Sequence, residues 1–143
     1  MAAQRHLGIN PTTFLAAVDF SACAPSVQYR GVRAGSIAGE VALGNGASNP
    51  QMLGVLQNSP SAAQEAVVTL IGTTKIAGRV SGCNLVFGRY LVGASDGFFE
   101  AASSTGCLVS AMWLGANFTT AGASAIGDAM FYGLTSSCAA AIA

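Results

Sequence analysis

The amino-acid sequence predicts an all-β protein, a small β-barrel or β-sandwich of short strands preceded by an extended N-terminal arm. Three observations predict it. From Val27 onward, short apolar runs alternate with breaks rich in Gly, Ser, Asn and Pro, which is how strands and tight turns are written. No segment carries an apolar stripe of helical period for more than two turns. The chain of 143 residues is 52% hydrophobic but only 8% charged, with 18 glycines, whereas a typical globular domain carries roughly 25% charged residues. That length is enough for one domain with its own core.

The elements follow in order. Residues 1–25 form the arm. Asn10 and Pro11 suit the N-cap and first position of a short helical turn, after which Phe14, Leu15 and Val18 share a face and Phe20 follows. The arm either straps its own core or docks on a neighbour. On the second reading Phe14, Leu15, Val18 and Phe20 are the partner-binding residues. Residues 26–143 make the barrel domain, with strands expected at 27–32, 41–43, 66–71, 73–77, 85–92, 98–101, 107–114 and 129–134. Between them lie the turn signals Gly44-Asn45-Gly46, Ser59-Pro60-Ser61 and Asp96-Gly97. The last is a hairpin signal, since both residues tolerate the positive φ of a tight turn. Residues 61–65 suit a single helical turn. The low-complexity segment 115–127 is either a long loop or a flat strand pair of weak register, and the tail 136–143 is small and uncharged.

The chemistry-bearing residues do not converge. Six basic and six acidic residues are scattered without a cluster. Arg30 and Arg33 read as a solvated strand edge, short of the several phosphate contacts that nucleic-acid binding requires. The one histidine, His6, lies in the arm with no local partner for nucleophilic catalysis. Asp19, Glu40, Glu65, Asp96, Glu100 and Asp128 stand singly, and Gly44-Asn45-Gly46 lacks the Gly-Lys-Ser/Thr ending of a phosphate loop. Cys23, Cys83, Cys107 and Cys138 are widely spaced and read as reduced, apolar side chains; they offer none of the close pairs of a zinc site. Trp113, within an apolar run, reads as core. No catalytic, cofactor-binding or metal-binding residue is therefore expected, and the chain is not expected to be an enzyme. The longest apolar run, near 107–114, is well below the ~18 residues of a membrane-spanning helix, and residues 1–8 lack the blocks of a secretory signal. No membrane partner is expected. A surface so poor in charge suits a chain that works assembled against others.

Read from Asp19 to Gly82, the sequence resembles a family of tailed-phage head decoration, or capsid cement, proteins. Asp19-Phe20-Ser21 resembles the family's Asp-Leu-Ser, Val27-Gln-Tyr-Arg-Gly-Val32 its first strand, and Glu40-Val-Ala-Leu43 the short strand before a glycine-rich turn. The most specific stretch is Leu53-Gly-Val-Leu-Gln-Asn-Ser-Pro60, followed by Ser61-Ala-Ala-Gln-Glu-Ala-Val-Val68 and Gly72-Thr-Thr-Lys-Ile76. Gln64 replaces a turn glycine, and the chain runs on past Leu114 beyond the family's usual end. The resemblance implies a subunit made in the host cytoplasm and placed on the virion's capsid surface, where it bridges major capsid proteins as a homo-oligomer, commonly a trimer. In such a chain Gly54 lets a strand turn sharply, Asn58 bonds its own backbone in a turn fixed by Pro60, and Val67, Val68, Leu70 and Ile71 fill the barrel. Two alternatives stand beside it. One is another virion component (a head fibre base, spike or minor coat subunit). The other is a β-barrel module for glycan or peptide, which calls for exposed aromatics.

Overall fold

A computed structural model describes residues 12–23, 26–45, 52–103 and 109–132. Its strands are β1 (Thr12–Ala16), β2 (Gly31–Ala34), β3 (Glu40–Leu43), β4 (Gly54–Leu56), β5 (Glu65–Thr69), β6 (Gly72–Arg79), β7 (Tyr90–Gly93), β8 (Phe99–Ala101), β9 (Val109–Trp113) and β10 (Ser124–Phe131). They close into two five-stranded barrels, β1-β3-β2-β4-β5 and β10-β6-β8-β7-β9. The all-β, small-barrel class read from the sequence is thus present twice.

Alternation along each strand sorts the two cores. In the first barrel Ala16, Val32, Val41, Ala66 and Val68 point inward and pack with Phe20, Val27 and Leu56. In the second, Ile76, Leu91, Ala111, Trp113, Ala129 and Phe131 surround Phe99, whose ring meets Phe131 edge-on with centroids 6.1 Å apart. β4 is buried along its whole length because it serves both barrels: Leu56 enters the first core and Val55 the second. Further bonds tie the barrels. Gln57 Nε2 donates to Thr74 Oγ1 at 3.0 Å, the Ala77 N–H to the Tyr29 carbonyl at 2.8 Å, and the Gly97 N–H to the Gly44 carbonyl at 3.0 Å.

Several sequence expectations change here. Within the expected arm, Thr12–Ala16 is a strand of the first barrel, antiparallel to β5 and parallel to β3. The Thr-Thr-Phe-Leu run supplies the β-branched and aromatic side chains that a half-buried strand favours, so over these residues the chain straps its own core. The helical turn at Asn10 and Pro11 lies outside the described residues, as do Cys107 and Cys138. The strand expected at 27–32 begins only at Gly31, because Tyr29 turns the chain with φ 69° and Val27 drops into the core. Residues 61–65 form a turn in which Ala63 takes φ 60°, and Glu65 already belongs to β5. The run 85–92 breaks at a turn whose Gly88 has φ 81°. Ile71 is exposed and Leu70 only partly buried, since both sit in the link between β5 and β6. The hairpin at Asp96-Gly97 is present, with φ 57° and 75° at the two residues, joining β7 to its antiparallel partner β8.

Segment 115–127 divides. Its first half is loop, anchored where Phe118 bridges Leu85, whereas Ser124–Gly127 opens β10 in full register with β6. The small residues there make room for Trp113. A Cβ on Gly115 or Gly78 would stand 3.0 Å from the indole, and one on Gly127 closer still. The ring nitrogen donates to the Ala116 carbonyl at 2.9 Å. Gly127→Val therefore overpacks a rigid, buried ring, and urea denaturation is expected to show a loss of about 1–3 kcal/mol. Gly122→Ala meets no such neighbour but is strained by its own φ of 74°, so it serves as the comparison without a packing clash.

Candidate functional site: the outer wall of the first barrel

The strand geometry that buries Phe14 and Ala16 turns Leu15 outward. Phe14 is half-buried against the first core and Ala16 lies within it, while Leu15 is 46% exposed. Leu15 pairs in register with Glu40 on β3 and Glu65 on β5, and in-register neighbours share a sheet face. The Leu15 N–H donates to the Gly39 carbonyl at 2.8 Å, and the Glu40 N–H to the Ile37 carbonyl at 3.1 Å. The β2–β3 hairpin is thereby fastened beside Leu15, with Ile37 at its tip and 64% exposed. Val18, in the turn after β1, is 53% exposed. Leu15, Val18 and Ile37 are thus exposed apolar residues of the first barrel, and Leu15 has a carboxylate in register on either side.

Of the four partner-binding residues expected from the sequence, Leu15 and Val18 are surface residues. Phe14 is partly committed to the core, and Phe20 is wholly buried in it. Phe20 is a core residue, its N–H bonded to the Pro60 carbonyl at 2.9 Å. Ile37 was not singled out, although its signal is legible: one large apolar residue in a loop bracketed by Gly35 and Gly39.

The three turn residues hold this wall from behind. Gly54 is not at a sharp turn. It opens β4, where a Cβ would strike the Val68 side chain and come within 2.6 Å of the Thr69 carbonyl, so it permits β4 and β5 to approach. Asn58 bonds not its own turn but β5: Nδ2 donates to the Glu65 carbonyl at 2.9 Å, and Oδ1 accepts the Val67 N–H at 3.0 Å. Pro60 is buried and receives Phe20 as above. Asn58→Ala removes two hydrogen bonds worth about 0.5–1.5 kcal/mol each. Its urea midpoint is expected to fall accordingly, with the fold retained.

Several other charged residues are engaged within the chain. Arg30, read from the sequence as solvated, is buried where the barrels meet; its guanidinium donates to the Asp96 carbonyl at 3.2 Å and lies 4.2 Å over the Phe98 ring. Burial lowers its pKa, and Asp96 partly opposes that. Arg79 sits 5.0 Å from the same ring and bonds Glu100 Oε1 through both Nε (2.8 Å) and Nη2 (2.6 Å). Beside them runs an open cleft of about 330 Å³ lined by Gln28, Phe98 and Ile126. Lys75 pairs with Asp128 at 3.2 Å. The Asp19 carboxylate is held below its usual range mainly by the Ser21 hydroxyl, 2.6 Å away. Phe87 is the most exposed aromatic at 71%, beside a hollow of about 290 Å³ lined by Gly82, Cys83, Asn84, Val86 and Arg89. Cys23 and Cys83 are free thiols, and among the described residues no three His, Cys, Asp or Glu side chains gather as metal ligands would.

Comparison with known protein families and with curated proteins returns no match to this chain.

Proposed function

We propose that the chain is a virion structural protein, a decoration subunit that docks as a homotrimer on the outer surface of a tailed phage's major capsid lattice and acts by binding alone. The observation that carries this reading is the exposure of Leu15, Val18 and Ile37 on the first barrel in a chain with only 8% charged residues. Large apolar side chains left exposed on one barrel suit an interaction surface. The motif order from Asp19 to Ile76 supports the same reading by resemblance. Two barrels joined by Val55 packing in the second core and by hydrogen bonds between them offer a firm body for such a role, since a clamp that deforms transmits no resistance to the joint it spans. Each contact can be weak, because many copies act together and preference for the assembled shell over its parts is enough to stabilise it. The test is binding of the purified chain to expanded shells that lack it. Saturable binding at a fixed ratio to the major capsid protein is expected; no binding at any concentration contradicts the reading.

Phe87 favours a second reading. An exposed aromatic beside a hollow is what a glycan- or peptide-binding module presents. Binding on a glycan or peptide array that Phe87→Ala abolishes, together with indifference to shells, would favour this module over the decoration subunit.

A further inference from the structure

We infer that the face of the first barrel around the exposed Leu15 docks on a basic-rimmed apolar surface of its partner, so that attachment is strengthened by charge and weakened by salt. The inference rests on the decoration reading above and adds the chemistry of the surface being bound.

Charge is scarce in this chain, so where it is left unneutralised is informative. Among the described residues the ion pairs are Lys75–Asp128 and Arg79–Glu100, both in the second barrel. Among the described residues, the carboxylates of the first barrel, Asp19, Glu40 and Glu65, have no such partner, although Asp19 accepts hydrogen bonds from Ser21. They are also not dispersed. Glu40 and Glu65 stand on either side of Leu15 in register, and Asp19 directly follows Val18. Arg33 faces this wall from β2, opposite Ala42, but its guanidinium donates to the Ala34 carbonyl at 3.2 Å and to no carboxylate. The wall therefore offers apolar side chains edged by net negative charge. Glu40 and Glu65 lie two strands apart with Leu15 between them, and among the described residues neither pairs with a cation, so both are free to meet cations outside the barrel. A partner surface with an apolar projection between lysines or arginines fits it: the projection covers Leu15 and Ile37, and the cations meet Glu40, Glu65 and Asp19. A partner with its own acidic rim would be repelled. A second copy presenting the same wall would bring like charges together, so this face is the one turned to the shell and not the one joining copies.

Rim charges act mainly through the association rate and its salt dependence, over a range of about 8 Å at physiological ionic strength and about 3 Å at 1 M salt. The experiment measures binding of the full chain to shells lacking it, across a salt series, for the wild type, for E40K/E65K, for E40Q/E65Q and for Leu15→Ser. Circular dichroism and melting confirm that each variant is folded. The expected result is that E40K/E65K binds about ten-fold or more weakly at low salt, E40Q/E65Q falls between it and the wild type, and the three converge in high salt, where Leu15→Ser remains weak throughout. Equal binding by folded E40K/E65K at low salt overturns the acidic-rim inference and leaves the decoration reading intact. A wild-type chain that binds no shell at any salt concentration overturns the decoration reading itself. Tighter binding by E40K/E65K would mean that the partner's rim is acidic, which also contradicts the inference.

Discussion

Phe99→Ala is expected to destabilise the whole molecule, both barrels together, by about 3–5 kcal/mol. Phe99 has no exposed surface, stacks edge-on against Phe131, and its ring tip comes within 3.0 Å of where a Cβ on Gly31 in the first barrel would stand. Truncation leaves a cavity at the centre of the second core that the closed sheet around it cannot collapse to fill. A domain of this size is stable by only about 5–15 kcal/mol, so the melting temperature should fall by roughly 10–20 °C. The loss should not remain local. β4 contributes Val55 to one core and Leu56 to the other, so neither barrel can open without exposing an apolar face of that strand. A single unfolding transition is therefore expected for wild type and variant alike. Phe87→Ala, which removes an exposed ring, should change stability by no more than about 0.5 kcal/mol. Two separate transitions, or equal losses in the two variants, would contradict the coupling of the two cores through β4.

The fold class was legible because glycine punctuation and β-branched runs are local signals. Val68 fills the first core as expected, whereas Val67, turned to the other face by strand alternation, is only partly buried, and Asp96-Gly97 made its hairpin. What the sequence did not disclose was long-range. Nothing local announces that Val55 and Leu56 serve different barrels, or that Thr12–Ala16 returns to pair with Glu65–Thr69 about fifty residues later. The repeated Gly and Ala of 115–127 leave loop and flat strand pair both open in the sequence, because their purpose, accommodating Trp113, depends on a residue from another strand. At the candidate site, adjacency misled in the same way. Leu15 and Phe20 look alike as apolar residues of one segment, yet strand alternation exposes the first and the turn after β1 buries the second. The carboxylates edging Leu15 come from strands 25 and 50 residues downstream, so their grouping exists only in the folded chain.

The largest functional effect should come from removing the chain altogether. A decoration subunit is added to a shell already built, so its absence should leave head assembly and genome packaging unimpaired. Packaged DNA presses outward on every joint between capsomers, and rupture needs only one joint to open. Each clamp raises that local cost, and hundreds of modest contacts can set the survival of the particle. On the proposed reading, the most direct measurement is to delete the gene from a phage that carries it, count assembled heads, and follow infectivity and DNA release as the particles are heated. The expected result is a normal yield of heads that burst at a lower temperature, restored by adding back the wild-type protein and poorly restored by the Leu15→Ser variant. Loss of all shells would make the chain a primary coat component, and unchanged heat survival of complete particles would contradict the proposal that it clamps the capsid.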